Sequence, residues 1–310
     1  MWFATDGEGL CSWDGKAFTF FTEKEGLPSN YVRTVQTDGA GNLWITSRDG
    51  LCRFDGKKFT RMDAVAKPAT GENSFEAKPP GPDALFFPST NGVFVQEGGT
   101  LRFFAIPIDA ADAEKLKSNP GLNPYDVYTV YRDREEDIWM GTESRGVCKW
   151  DGKAFKWFRD KDLDKAAVRA IHRDARGDAW FGNSGVGLFR YDGKELRNFG
   201  DDNNIGNRTW LQGSLIRMPG TIGDPHAIIE DKVGNVWIGA FDSGAWRYDG
   251  KTMTNFTTKD GLSVDSVSAI YEDRAGKLWF GTSKGVCIFD GKGFHALTAE
   301  AQVPLPKNAR

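Results

Sequence analysis

The sequence predicts an all-β fold, a seven-bladed β-propeller of four-stranded antiparallel blades, on three observations. A tryptophan-led motif recurs at a period of roughly 42 residues, inside the range of propeller blades. Each copy holds short apolar runs of strand length, none long enough for a helix of ordinary size. Turn residues, above all Asp-Gly, separate those runs at fixed offsets.

The copies are plain when aligned. Trp44 opens WITSRDGLCRFDGKKFT, Trp139 opens WMGTESRGVCKWDGKAF and Trp180 opens WFGNSGVGLFRYDGKEL. Trp237 opens WIGAFDSGAWRYDGKTM, Trp279 opens WFGTSKGVCIFDGKGF, and the chain starts on Trp2 in WFATDGEGLCSWDGKAF. The long interval between Trp44 and Trp139 has room for one further copy. Aligning Asn91-Gly92-Val93 with Asp49-Gly50-Leu51 puts Phe86 in the tryptophan position, which makes seven units with a degenerate third.

Within a unit, strand A is typified by Val267 to Asp273, strand B by the Leu-Trp-Phe-Gly-Thr run, strand C by Gly-Val-Cys-x-Phe and strand D by Phe-x-x-Phe. Between A and B, Asp273 to Gly276 reads as a turn in which Asp bonds nearby backbone and Gly takes the left-handed position. Between C and D, Asp-Gly is expected to supply the positive φ angles of a two-residue hairpin. The repeated tryptophans read as core cement between neighbouring blades, not as sugar-stacking platforms.

Residues 1–298 are expected to form a single propeller domain, with residues 299–310 as a C-terminal tail. The first unit begins at its strand B, so the tail is a candidate closing strand, since Pro304 and Pro306 are tolerable on an edge. The tail lacks the Ile-x-x-Asp pattern of the other inner strands, which favours a first strand A lying upstream.

These residues resemble the two-component regulator propeller repeats of bacteria. Ile270 to Thr282, then Gly285-Val286 and Phe289-Asp290-Gly291, follow that pattern almost position for position, and Glu25 to Pro28 and Asp260 to Leu262 resemble its linkers. The resemblance implies a bacterial sensory module, in related proteins the periplasmic or extracellular part of a signalling receptor. Trp13-Asp14 and Trp150-Asp151 do not make WD40 repeats, because the Asp belongs to the Asp-Gly turn and no Gly-His precedes it.

Bulk properties narrow the partners. A formal net charge of −3, with both signs interspersed, argues against nucleic acid. No apolar run reaches the ~18 residues of a membrane span. Met1 runs straight into repeat sequence, with neither the basic nor the apolar region of a secretion signal. Glycine (37) and tryptophan (11) are abundant, as tight turns and aromatic layers require.

Chemistry-bearing residues are sparse. Cys11, Cys52, Cys148 and Cys287 share one strand C position, which Phe94, Leu188 and Trp246 fill elsewhere. They read as unbridged buried hydrophobes, because stacked sheets lie ~10 Å apart and a disulfide needs Cα atoms within about 7 Å. No Gly-x-Ser-x-Gly elbow, phosphate loop or His-Glu-x-x-His helix is present. Asp160, Asp162 and Asp164 have calcium-loop spacing, but Lys165 stands where Gly is required and Ile171 where the bidentate Glu belongs. His172 reads as strand A filler, His295 lies on an outer strand, and His226 opens a strand A. No catalytic residue, metal site or cofactor is therefore assigned.

Departures from the repeat mark what the scaffold does not need. Three D-to-A linkers are expanded, at residues 63–73, 105–124 and 200–225, all on the face that also carries the B-to-C loops. The third holds Trp210 with Arg208 and Arg217. The residues opening strand A toward the channel mouth are Arg33, Phe75, Tyr128, Arg169, His226 and Ser268. Arg and aromatic groups around a concavity favour a polar or anionic ligand with a flat face, such as an oligosaccharide or an acid. The leading expectation is a ligand-sensing module. The alternatives are a protein-interaction platform, with a signalling protein as partner, and a lyase like the streptogramin lyases, the last by analogy of fold alone.

Overall fold

The computed structural model describes residues 1–62, 80–118, 123–209, 218–241 and 243–297. Strands that follow one another in sequence pair antiparallel, as a meander demands. Among the described residues five sheets have four strands and two have three. The protein is a seven-bladed β-propeller. Blade 1 has Trp2–Ala4, Leu10–Trp13 and Phe18–Phe21, and blade 3 has Leu85–Ser89, Gly92–Glu97 and Thr100–Ala105. The tail at 299–310 lies outside the described residues.

The chain divides into two compact units. One holds Met1–Phe87 and Phe94–Phe104, with blades 1 and 2. The other holds Pro88–Val93 and Ala105–Leu297, with blades 4 to 7. Blade 5 is typical of the second unit, with strands Val168–Arg173, Ala179–Asn183, Gly187–Tyr191 and Leu196–Asn198 in order from A to D.

The turn between A and B is built by one aspartate. Asp174 Oδ1 accepts the backbone N–H groups of Arg176 and Asp178, both at 3.0 Å, and Gly177 takes φ 92°. The second oxygen of Asp174 accepts the indole N–H of Trp180 at 3.0 Å. The same bond joins Trp44 to Asp38, Trp139 to Asp133, Trp237 to Asp231 and Trp279 to Asp273, at 2.8–3.0 Å. One side chain thus shapes the turn and anchors the core tryptophan six residues on. In blade 4 the left-handed turn position is held by Glu136, at φ 68°, instead of glycine.

The link between C and D differs from the expected two-residue hairpin. Phe54 pairs with Phe59, which leaves four residues between them. Asp55 Oδ1 accepts the N–H groups of Lys57 (2.9 Å) and Lys58 (2.8 Å), and of the Asp-Gly pair only Gly56 has positive φ. The side-chain cap supplies the reversal, so the aspartate need not enter the left-handed region. Asp14, Asp151, Asp192, Asp249 and Asp290 cap the same way.

The tryptophans of blades 4 to 6 pack against the following blade. Trp139 lies 5.8 Å from Phe181 and Trp180 lies 5.5 Å from Tyr248, centroid to centroid. Trp237 lies 5.4 Å from Phe280, and both Trp180 and Trp237 are essentially excluded from solvent. The strand B glycine makes that approach possible. A Cβ on Gly182 would stand 2.7 Å from the Pro225 carbonyl oxygen of the next blade.

All four cysteines are buried free thiols, and burial raises Cys11 to about 11 and Cys52 to about 12. Their position faces the residue after the core tryptophan: Cys148 pairs with Met140 and Cys287 with Phe280. In blade 5 the residue paired there is Phe189, not Leu188. The paired residue stands nine positions after the tryptophan in blades 4 and 5 and eight in blades 2 and 7, so a count of eight lands on Leu188.

Candidate functional site

Strand A of every four-stranded blade begins with a bulge. The register shifts between Val32 and Thr34, Val127 and Thr129, Val168 and Ala170, Pro225 and Ala227, and Val267 and Ala269. The residue left out of the ladder is Arg33, Tyr128, Arg169, His226 or Ser268. A bulge re-aims the side chain it frees. These are the positions that the sequence assigns to the opening of the inner strands.

A second repeated bond brings the B-to-C loop to the bulge. The N–H of Glu143 donates to Asp126, Ser184 to Ala167, Phe241 to Asp224, Ser283 to Ser266 and Arg48 to Tyr31. Each acceptor carbonyl lies two residues before a bulge residue. Each of these five blades therefore presents one bulge side chain beside one loop side chain.

In blades 4 to 6 these pairs join into one continuous rim. The Arg169 guanidinium lies over the Tyr128 ring at 4.6 Å, and its Nε donates to Ser184 Oγ at 2.7 Å. His226 Nε2 and Asp224 Oδ1 are 3.0 Å apart, and the imidazole stacks on Phe241 at 5.2 Å and 20°. Burial, then the adjacent Glu143 carboxylate, raises the Tyr128 phenol. Burial pushes Asp224 up, but the His226 hydrogen bond and charge, with Ser184 and Arg169, bring it below its ordinary value. Tyr128 keeps 43% of its surface exposed and Phe241 keeps 39%, so two aromatic faces remain open among fixed charges.

The other sequence candidates stand apart from this rim. Arg33 is the exposed bulge residue of blade 2, in the first unit. Arg208 is tied to Asp162 at 3.0 Å and Asp201 at 2.7 Å, in a charged groove of about 450 Å³ that also includes Arg197 and Asp202. Phe75, Trp210 and Arg217 lie outside the described residues. Asp162 is held by Arg208, with Lys161 and Asp162 both at positive φ, in a turn and not a calcium loop. In the linker at 105–124, a helix at Ala110–Ser118 is pinned to blade 4. There the buried Tyr125 hydroxyl donates to Asp112 at 2.9 Å, and Arg145 pairs with the same carboxylate.

Sequence reasoning missed Glu143, Ser184, Asp224 and Phe241. A positional signal for three of them exists: each follows strand B immediately, at the place where the B-to-C loop begins. Asp224 shows no such pattern, because the expanded linker before it follows no period.

The profile of the two component regulator propeller matches residues 26–49, 121–144 and 261–284. Each matched segment runs from a D-to-A linker through strands A and B to the loop residue beside the bulge. No curated protein sequence matches the chain. Among solved structures, the extracellular domain of a protein described as a one component system from B. thetaiotaomicron superposes with TM-score 0.65 at 16% identity, over 93% of this chain and 36% of that one. PorZ of Porphyromonas gingivalis, a surface component of the type-IX secretion system, gives 0.59 at 17% identity, over 92% and 43%. Virginiamycin B lyase of Staphylococcus aureus gives 0.63 at 13% identity, over 94% and 89%. The chain spans well under half the length of the first two, and at these identities the likeness is one of fold. Three segments of this seven-bladed propeller thus match the two component regulator propeller repeat.

Proposed function

We propose that the rim of blades 4 to 6 is a binding site for a neutral, hydroxyl-rich solute, an oligosaccharide, and that the chain is a ligand-sensing propeller. The observation that carries this reading is the unbroken run from Glu143 through Tyr128, Arg169, Ser184, Asp224 and His226 to Phe241. The open Tyr128 and Phe241 rings suit the C–H face of a sugar. Glu143 and Asp224 accept hydroxyl protons, while Arg169 donates.

Both Arg169 and the carboxylates bear on charge preference. Arg169 is already engaged by the Tyr128 face and Ser184, and two carboxylates share its neighbourhood. An anionic ligand would meet that negative charge, so the rim suits neutral sugars better than acids. The sensory role is supported by the family, and by the extracellular domain from B. thetaiotaomicron that has the same fold.

A thermal-shift screen of neutral oligosaccharides against uronic-acid oligosaccharides tests the reading. Neutral members should raise Tm and their acidic counterparts should not. A preference for the acids would overturn it. A uronic-acid oligosaccharide recovered cleaved with an unsaturated end would turn the reading to a lyase, with His226 as the base that takes the proton beside the carboxylate.

A further inference from the structure

On the opposite face from the rim, the A-to-B turns of blades 6 and 7 and the C-to-D turn of blade 7 line a groove of about 500 Å³. Trp237, Arg247, Glu272, Lys277, Phe289 and Asp290 are among the residues that line it. The repeat itself shows what is unusual here. In blade 4 the strand C cation Lys149 pairs with Asp137 at 2.5 Å, and in blade 5 Arg190 pairs with Asp178 through Nε at 2.8 Å and again through Nη2. Both carboxylates stand four residues after the turn aspartate. In blade 6 that place is held by Asn235, whose amide donates to Asp231 at 2.8 Å.

Among the described residues, no carboxylate pairs with Arg247 as Asp178 pairs with Arg190. Its guanidinium lies 5.7 Å from the Trp237 ring and 5.6 Å from the Phe256 ring, and Nε is buried with no hydrogen-bond partner. A buried donor without a partner is costly, and more so when it is charged. The acids around the groove are already engaged. Asp231 accepts Trp237 and Asn235, Glu272 accepts the Lys232 N–H at 2.9 Å, and Asp290 accepts Lys292, Gly293 and His295. Blade 2 has the same substitution, Arg53 with Asn42, but no Arg53 nitrogen is both buried and unbonded.

We propose that this groove is a carboxylate-binding site, in which Arg247 takes a ligand carboxylate where Asp178 serves Arg190. The planar guanidinium fork matches a carboxylate in two parallel bonds, and the partly buried Phe289 ring takes a short apolar stem. The carboxylate comes either from a small organic acid or from an acidic side chain of a protein.

Asn235→Asp tests this directly, because it builds the blade 5 pair into blade 6 and fills the site from within. The full-length chain would be titrated with glutarate and with a capped Gly-Glu-Gly peptide, followed by calorimetry and by the Tm shift. Wild type should bind at least one probe, and which one identifies the source. Asn235→Asp should raise Tm without ligand and weaken probe binding tenfold or more. Asn42→Asp in blade 2 should leave probe binding unchanged, and Arg247→Gln, checked for native circular dichroism, should abolish it. No binding of either probe to wild type, or equal binding to wild type and Asn235→Asp, would overturn the proposal.

Discussion

At the residue scale, the turn aspartates do more than the repeat pattern implies. Their place before the tryptophan was legible in the sequence as turn chemistry. The bond to the indole was not, because six residues of separation match neither the strand period nor the turn itself. Asp174 satisfies two backbone donors and Trp180 together, and Arg176 also pairs with it at 3.1 Å. Burial pushes its carboxyl up, but those bonds, Trp180 foremost, hold it below the ordinary value. Its contribution is thus present above the ordinary carboxylate pKa and lost as pH falls through the lowered one. Asp174→Ala strands the buried indole donor and two turn donors, and a loss of about 3 kcal/mol or more is expected in urea unfolding at pH 7. Asp55→Ala, at an exposed cap with no indole to anchor, should cost clearly less. Equal losses would show that the indole bond adds nothing.

At the scale of the element, the inner strands combine regular and irregular halves. Alignment of the repeats shows which residues open the inner strands, so Arg33, Tyr128, Arg169, His226 and Ser268 could be chosen without coordinates, though the bulge that frees them from the period of two could not be read. The loop groups that complete the rim could not, since loops have no period. The regular half carries its own pH signature. His172 pairs across the ladder with Trp180 and packs on Tyr131 at 5.4 Å, and burial lowers its pKa from 6.5 to about 4. Its folded form is neutral, so its contribution is fully present above pH 6.5 and is lost as pH falls toward 4. At pH 5 the loss should be about 2 kcal/mol relative to pH 7.5. Urea midpoints of wild type and His172→Gln at both pH values measure it. The variant should lose about 2 kcal/mol less than wild type on acidification, and parallel losses would contradict the burial account.

At the scale of the whole molecule, seven copies of one motif made the architecture readable, because each tryptophan must bury its face against the next blade. Trp180→Ala should therefore cost ~3–5 kcal/mol whatever ligand is present. The binding function was less readable, because it resides where the copies differ. Tyr128, Arg169 and His226 occupy one structural position in three consecutive blades, and their difference in chemistry is what makes a site of a repeated scaffold. The most direct test of that claim is a calorimetric titration of the best neutral oligosaccharide into wild type and into the Tyr128→Ala, Phe241→Ala double variant. Both side chains are partly exposed, so the variant should keep its Tm within a few degrees. Its affinity should fall about thirtyfold or more, at about 1–3 kcal/mol for each lost aromatic platform. Unchanged affinity in the folded variant would place the ligand elsewhere and contradict the account.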